Sequence, residues 1–351
     1  MWLADLLLAC AIEPPPGPEP LTPLVRPDPA STESPETEPP DTEVVDTGHG
    51  TTTTPKGPRE DLVQFVVIGD AGDGSDAQYA VADAIEAVCA ARSCSFGVYT
   101  GDVFYGPTIT GVDDEQWQTD FELPYANLSF PFYGSLGNHD YWMVGDELER
   151  WVGQHYVDYS DQSDRWIMHD VYYGFTRGSA DFFAIDTNEI YWMEGANQAA
   201  WLDAALAAST ARWKIVFGHH PYRSNGTHGS AGAYDGLGAY ADEPGLDVAA
   251  GVYLEDFFET TLCERVDLYL CGHDHNLQWL EPVCGVELIV SGAGSKASGL
   301  VGGEPVRFQH DDSPGFTWIE LGDEHMTAVF YDDDAAVLYE ATFERKSERW
   351  R

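Results

Sequence analysis

Two short apolar runs, Leu62 to Ile68 and Phe96 to Thr100, bracket a segment in which Ala77, Ala80, Val81, Ala84, Ile85 and Val88 recur at helical spacing. Continuous apolar runs of this length read as strands buried on both faces. A strand, a helix and a second strand in succession form a βαβ unit, which makes the two strands parallel neighbours. Ser75 or Asp76 stands where the helix needs an N-terminal cap. Each strand runs directly into a Gly-Asp pair, Gly69-Asp70 and Gly101-Asp102, so the two carboxylates share one edge of a parallel sheet.

The same arrangement recurs downstream. Phe130 to Leu136 leads into Gly137-Asn138-His139-Asp140, Trp213 to Phe217 into Gly218-His219-His220-Pro221, and Val266 to Cys271 into Gly272-His273-Asp274-His275-Asn276. Helices are predicted over Asn197 to Ser209 and around Tyr253 to Cys263. The aromatic-rich segments Trp166 to Phe175 and Asp181 to Ile185 are expected in a second sheet. Val286 to Val290, Phe316 to Leu321, His325 to Tyr331 and Ala336 to Phe343 are predicted as antiparallel strands that finish it. The expected class is α/β, with two sheets and outer helices.

Taken singly, each loop is ordinary, because Asp and Asn favour turns. Together the loops supply Asp70, Asp102, Tyr105, Asn138, His219, His273 and His275. Oxygen and nitrogen donors of this kind, with a carboxylate to bridge, are what a pair of metal ions about 4 Å apart requires. Alternate residues on an extended segment point the same way, which favours His273 and His275 as a pair.

In order, the motifs Gly-Asp-x-Gly, Gly-Asp-x-x-Tyr, Gly-Asn-His-Asp, Val-x-x-His and Gly-His-x-His resemble those of the purple acid phosphatases within the calcineurin-like metallophosphoesterases. Gly218-His219-His220-Pro221, Leu270 to Gln278 and Ser291-Gly292-Ala293-Gly294 are similar to the tartrate-resistant acid phosphatase type. The resemblance covers roughly Leu62 to Phe343. It implies a metallophosphoesterase four-layer sandwich of two mixed β-sheets flanked by helices. Carried onto this chain, it implies that Asp70, Tyr105 and His275 bind Fe(III), and that Asn138, His219 and His273 bind Fe(II), Zn(II) or Mn(II), with Asp102 bridging. It further implies hydrolysis of small phosphate monoesters at acidic pH by a metal-bound hydroxide, with His139 on the phosphate and His228 protonating the leaving alkoxide. Phosphodiester or nucleotide hydrolysis is the alternative on the same site, and non-catalytic binding of phosphate or iron is an alternative of another class. Arg223 departs from the family, whose small enzymes often carry an aromatic residue there, which leaves leaving-group preference open. His49, His155, His169, His220, His310 and His325 match no motif and are read as structural or surface residues.

The rest of the chain bears on location. Met1 to Ile12 is apolar apart from Asp5, and Leu7-Leu8-Ala9-Cys10 resembles a lipoprotein cleavage box, although no Lys or Arg precedes it. Residues 13–58, rich in Pro, Thr, Glu and Asp, read as a disordered tether, and 59–351 as the catalytic domain. Export is expected, to the periplasm, the outer membrane through a lipid on Cys10, or the medium. In an oxidising compartment Cys89 and Cys94 would close a short loop, and Cys263 would reach Cys271 or Cys284. A formal net charge of −43 argues against nucleic acid as a partner, since phosphates would be repelled. A monomer is expected.

Overall fold

The computed structural model describes residues 62–141, 143–144, 147–148, 151–193, 195–243 and 245–345. The segment 1–12 with Cys10, and the tether 13–58, lie outside the described residues. In chain order the first elements are β1 (Val63–Ile68), α1 (Asp76–Arg92), β2 (Phe96–Thr100), β3 (Phe132–Ser135), β4 (Met143–Val144), β5 (Glu147–Leu148), α2 (Trp151–Tyr159) and β6 (Trp166–Ile167). The chain continues through β7 (Tyr173–Arg177), β8 (Ala180–Ala184), α3 (Thr187–Met193), α4 (Ala196–Ala208), β9 (Trp213–Phe217), α5 (Leu246–Ala249), α6 (Val252–Phe257) and β10 (Leu268–Cys271). It closes with β11 (Leu277–Val283), β12 (Val286–Ser291), β13 (Val306–His310), β14 (Gly315–Leu321), β15 (His325–Asp332) and β16 (Val337–Glu344).

The predicted βαβ unit is present, with β1 and β2 parallel. Ser75 caps α1, its hydroxyl accepting from the Gln78 backbone N–H at 3.3 Å. Two seven-stranded sheets result, ordered β16-β15-β14-β1-β2-β3-β6 and β13-β11-β12-β10-β9-β8-β7. Within them β1, β2, β3 and β6 run parallel, as do β8, β9, β10 and β12. Aromatic side chains fill the space between the sheets. Phe65 and Phe96 of the first meet Phe182 of the second edge-on, each at 5.3 Å between ring centroids.

Two expectations about sheet membership are corrected. Trp166–Ile167 pairs with β3 in the first sheet instead of opening the second. The last strands, β14 to β16, extend the first sheet from the free edge of β1, with Val66 opposite Trp318, and do not finish the second. Apolar alternation reports which face a strand buries, and is blind to which sheet it joins. The reason for the observed pairing is that β1 is buried through most of its length, so its outer edge needs a ladder partner.

Two disulfides are formed, Cys89–Cys94 and Cys263–Cys284. Of the two partners open to Cys263, Cys284 is the one it meets, because the turn between β11 and β12 lies beside it and Glu264 donates to the Cys284 carbonyl. Cys271 is left as a buried free thiol in β10.

Candidate metal centre

Each parallel strand that approaches the middle of the molecule ends in a loop on the same side, the edge where open α/β sheets place their ligands. Asp70 follows β1, Asp102 and Tyr105 follow β2, and Asn138 and His139 follow β3. His219 follows β9, and His273 and His275 follow β10. The oxygen donors therefore come from the first sheet and the imidazoles from the second. All seven residues that the motifs singled out as donors meet in one place.

Around Asp70, the Tyr105 hydroxyl stands 3.2 Å from Oδ1 and His275 Nε2 stands 3.6 Å from it. Tyr105 and His275 are 3.0 Å apart. Asp70, Asp102 and His275 each offer an atom within 4.8 Å of the others. On the other side, His219 Nε2 faces Asn138 Oδ1 at 3.0 Å, His273 Nδ1 at 3.2 Å and Asp102 Oδ1 at 3.4 Å. Asp102 thus touches both groups.

The chemistry of this donor set fits cations. His219 Nδ1 lies 2.9 Å from the Thr100 carbonyl, which only accepts, so the proton sits on Nδ1 and the Nε2 lone pair points into the site. A single proton on His273 Nδ1 would satisfy just one of the three approaches at that lone pair. Burial lowers the pKa of His219, His273 and His275, the last to about 4, so the imidazoles are held neutral as ligands must be. Burial, and then the charge of Asp102, pushes the Asp70 carboxyl well above the usual carboxylate range. The Tyr105 phenol is raised for the same two kinds of cause. Cations among these groups reverse both directions.

Backbone geometry supports the arrangement. Asp70, Asp102 and His273 have φ of 58°, 50° and 68°, in the left-handed region that non-glycine residues seldom occupy. Gly137 and Gly272 let the loops close: a Cβ on either would lie 2.1 Å from a carboxylate oxygen, of Asp102 and Asp70 respectively.

Two buried carboxylates that motif reading left without a role hold these loops together. Asp140 accepts from the backbone N–H groups of Val103 at 2.9 Å, Phe104 at 3.2 Å and Gly137 at 2.7 Å, and from the Tyr156 hydroxyl. It joins the loop after β2 to the loop after β3. Asp274 accepts from Ser224 and from the His228 backbone N–H at 2.9 Å, tying the His228 loop to the His273–His275 loop. Their positions inside Gly-Asn-His-Asp and His-Asp-His were the available signal.

His139 is exposed beside the donors, its backbone N–H on Asp102 Oδ1 at 2.9 Å and its ring 4.7 Å from that of Tyr105. The His228 ring lies 4.3 Å from that of His273, and its Nδ1 is 3.0 Å from Asp235 Oδ1. Both histidines line a cleft of about 410 Å³ that opens over Asn138 and His273. His220, read as structural or surface, is buried against Thr187 and lines the cleft floor. Arg223 does not line it. Its guanidinium lies over the Tyr222 ring at 3.9 Å and pairs with Glu255 at 3.0 Å, so it braces the loop from behind.

Residues 63–277 match the family described as Calcineurin-like phosphoesterase. Purple acid phosphatase 3 of Arabidopsis thaliana is 31% identical over 302 residues, spanning 79% of this chain and 76% of the relative. Tartrate-resistant acid phosphatase type 5 of Homo sapiens is 25% identical over 325 residues, spanning 81% of this chain and 92% of the relative. Among solved structures, GAP50, the anchor in the inner membrane complex of Plasmodium, shares the fold with a TM-score of 0.63 at 22% identity, covering 82% of this chain and 90% of its own. A dimetal phosphatase from Danio rerio aligns with a TM-score of 0.53 at 12% identity, covering 81% and 99%.

Proposed function

The chain belongs to the calcineurin-like phosphoesterases and, within them, to the purple acid phosphatases, and from that premise we propose that it is an exported acid phosphatase with a dinuclear Fe(III)–M(II) centre. It is a metal-dependent enzyme that hydrolyses phosphate esters. In this reading Asp70, Tyr105 and His275 would hold Fe(III), Asn138, His219 and His273 would hold Fe(II), Zn(II) or Mn(II), and Asp102 would serve both. The observation that carries the reading is the His219 lone pair, turned inward by Thr100 onto Asn138, His273 and Asp102.

When bound, such a pair acidifies a water and neutralises charge on the phosphoryl oxygens. The protein's own groups do the rest. His139 sits at the rim, where its imidazole can hydrogen-bond a phosphate oxygen. His228 keeps Nδ1 on Asp235, which leaves Nε2 to deliver a proton to the departing alkoxide. Export is supported by the two disulfides, which persist in oxidising compartments.

Turnover of p-nitrophenyl phosphate and bis-p-nitrophenyl phosphate by metal-loaded protein across pH 4 to 9 tests the proposal. Faster monoester hydrolysis with an acidic optimum is expected. Faster diester hydrolysis would assign a phosphodiesterase, and no hydrolysis of either would leave the binding role. Replacing His228 with Ala should retain metal and slow esters with poor leaving groups by roughly 10²- to 10⁴-fold. Equal slowing of good and poor leaving groups would remove it from the acid role. Mass spectrometry of the mature N-terminus tests lipidation of Cys10, which an intact, unmodified Met1 would rule out.

A further inference from the structure

Beyond the reacting phosphate, the cleft must hold whatever the phosphate is attached to. One wall is aromatic. Tyr191 and Trp192 project from α3, which follows β8, with Tyr141 and Tyr234 alongside. Tyr191 is fixed, its hydroxyl donating to the Ala249 carbonyl at 2.6 Å and its ring stacked on His220 at 5.2 Å and on Tyr234 at 5.7 Å. Trp192 meets the Tyr191 ring edge-on at 4.8 Å and remains 39% exposed. An indole packed against a fixed tyrosine and exposed in the cleft wall is suited to stack on a flat partner.

Charge limits that partner. No Lys or Arg is among the described residues that line the cleft, and its one carboxylate, Asp235, is 62% exposed at the mouth. The chain as a whole carries −43. A leaving group with its own anionic charge would find no cationic side chain among these described residues and would face Asp235.

We propose that this wall is a leaving-group subsite for phosphomonoesters of aromatic alcohols that carry no second anionic group, with Trp192 as the specificity-determining residue. The proposal rests on the phosphatase reading. It selects against leaving alcohols that carry an anionic group of their own.

The test compares esters whose leaving alcohols are similarly basic, so that stacking and charge are the variables. Metal-loaded enzyme should favour benzyl over butyl phosphate by about tenfold in kcat/KM, as expected for one aromatic contact. It should disfavour 4-carboxybenzyl phosphate relative to benzyl phosphate by a similar factor. The benzyl-to-butyl ratio should collapse in Trp192→Ala and survive in Trp192→Phe. Calorimetric binding of benzylphosphonate and butylphosphonate, which are not turned over, should show the same preference. A ratio near one, a ratio indifferent to Trp192→Ala, or equal turnover of benzyl and 4-carboxybenzyl phosphate overturns the subsite while hydrolysis stands. Failure to turn over any ester or bind either phosphonate overturns the phosphatase reading, and the subsite with it.

Discussion

Lys296 illustrates what a single residue adds to the donor set. Its Nζ lies 3.2 Å from the centroid of the Tyr105 ring, on the loop after β12. A cation on that face lowers the energy of the phenolate electrons. If Tyr105 binds Fe(III), the colour expected of a ferric phenolate should vanish in Tyr105→Phe and move to longer wavelength in Lys296→Met, as read from the visible spectrum. An unmoved band in the lysine variant would remove Lys296 from that role. Asp186 gives a pH effect away from the metal donors. Burial raises its carboxyl to about 6, partly offset by hydrogen bonds from Tyr141 and Asn188. Since the folded pKa lies above the unfolded one, this stabilisation is full below about pH 4 and is lost as pH rises through 6. Thermal melts of Asp186→Asn should therefore lack a decline on the order of 2–3 kcal/mol between those values, and an identical pH profile would refute the assignment. At this scale sequence reading went far, because donor types sit in recognisable motifs. Lys296 and Asp235 escaped it, since each acts on a residue distant in sequence or across a loop, and no spacing rule connects them.

Among elements, the strand-to-loop junctions matter most. Gly137→Ala would place a methyl group 2.1 Å from Asp102 Oδ1 and 2.3 Å from its backbone nitrogen. Overpacking of this kind costs roughly 1–3 kcal/mol, and metal content should fall along with the melting temperature. Normal metal content by elemental analysis would show that the loops can separate without harm to the donors. The Cys263–Cys284 bridge spans a sequence separation of 21, so its removal by paired Ser substitutions should cost about 3 kcal/mol in denaturant unfolding. The βαβ unit at the start was legible because local periodicity and a short crossover define it. Membership of β6 and β14 to β16 in the first sheet was not. That choice is made by which strand edges remain unpaired after the core has formed, a tertiary fact with no local pattern.

For the molecule as a whole, a net charge of −43 means that the folded state works against its own repulsion. Raising ionic strength from about 0.02 to about 0.5 M shortens the screening length several-fold, and the melting temperature should rise by several degrees. A flat response would place the excess charge where it does not oppose folding. The two-sheet architecture was expected from alternating strands and helices, and its large aromatic core from composition. The division of donors between the sheets has a consequence in time. A ribosome releases Asp70, Asp102, Tyr105 and Asn138 long before His219, His273 and His275 exist, and the early oxygens alone are a mediocre, unselective trap for hard cations. Commitment to a particular pair of ions must wait until the second half of the chain has docked. Any choice between ions therefore comes late, once the imidazoles of the second sheet have joined the oxygens of the first.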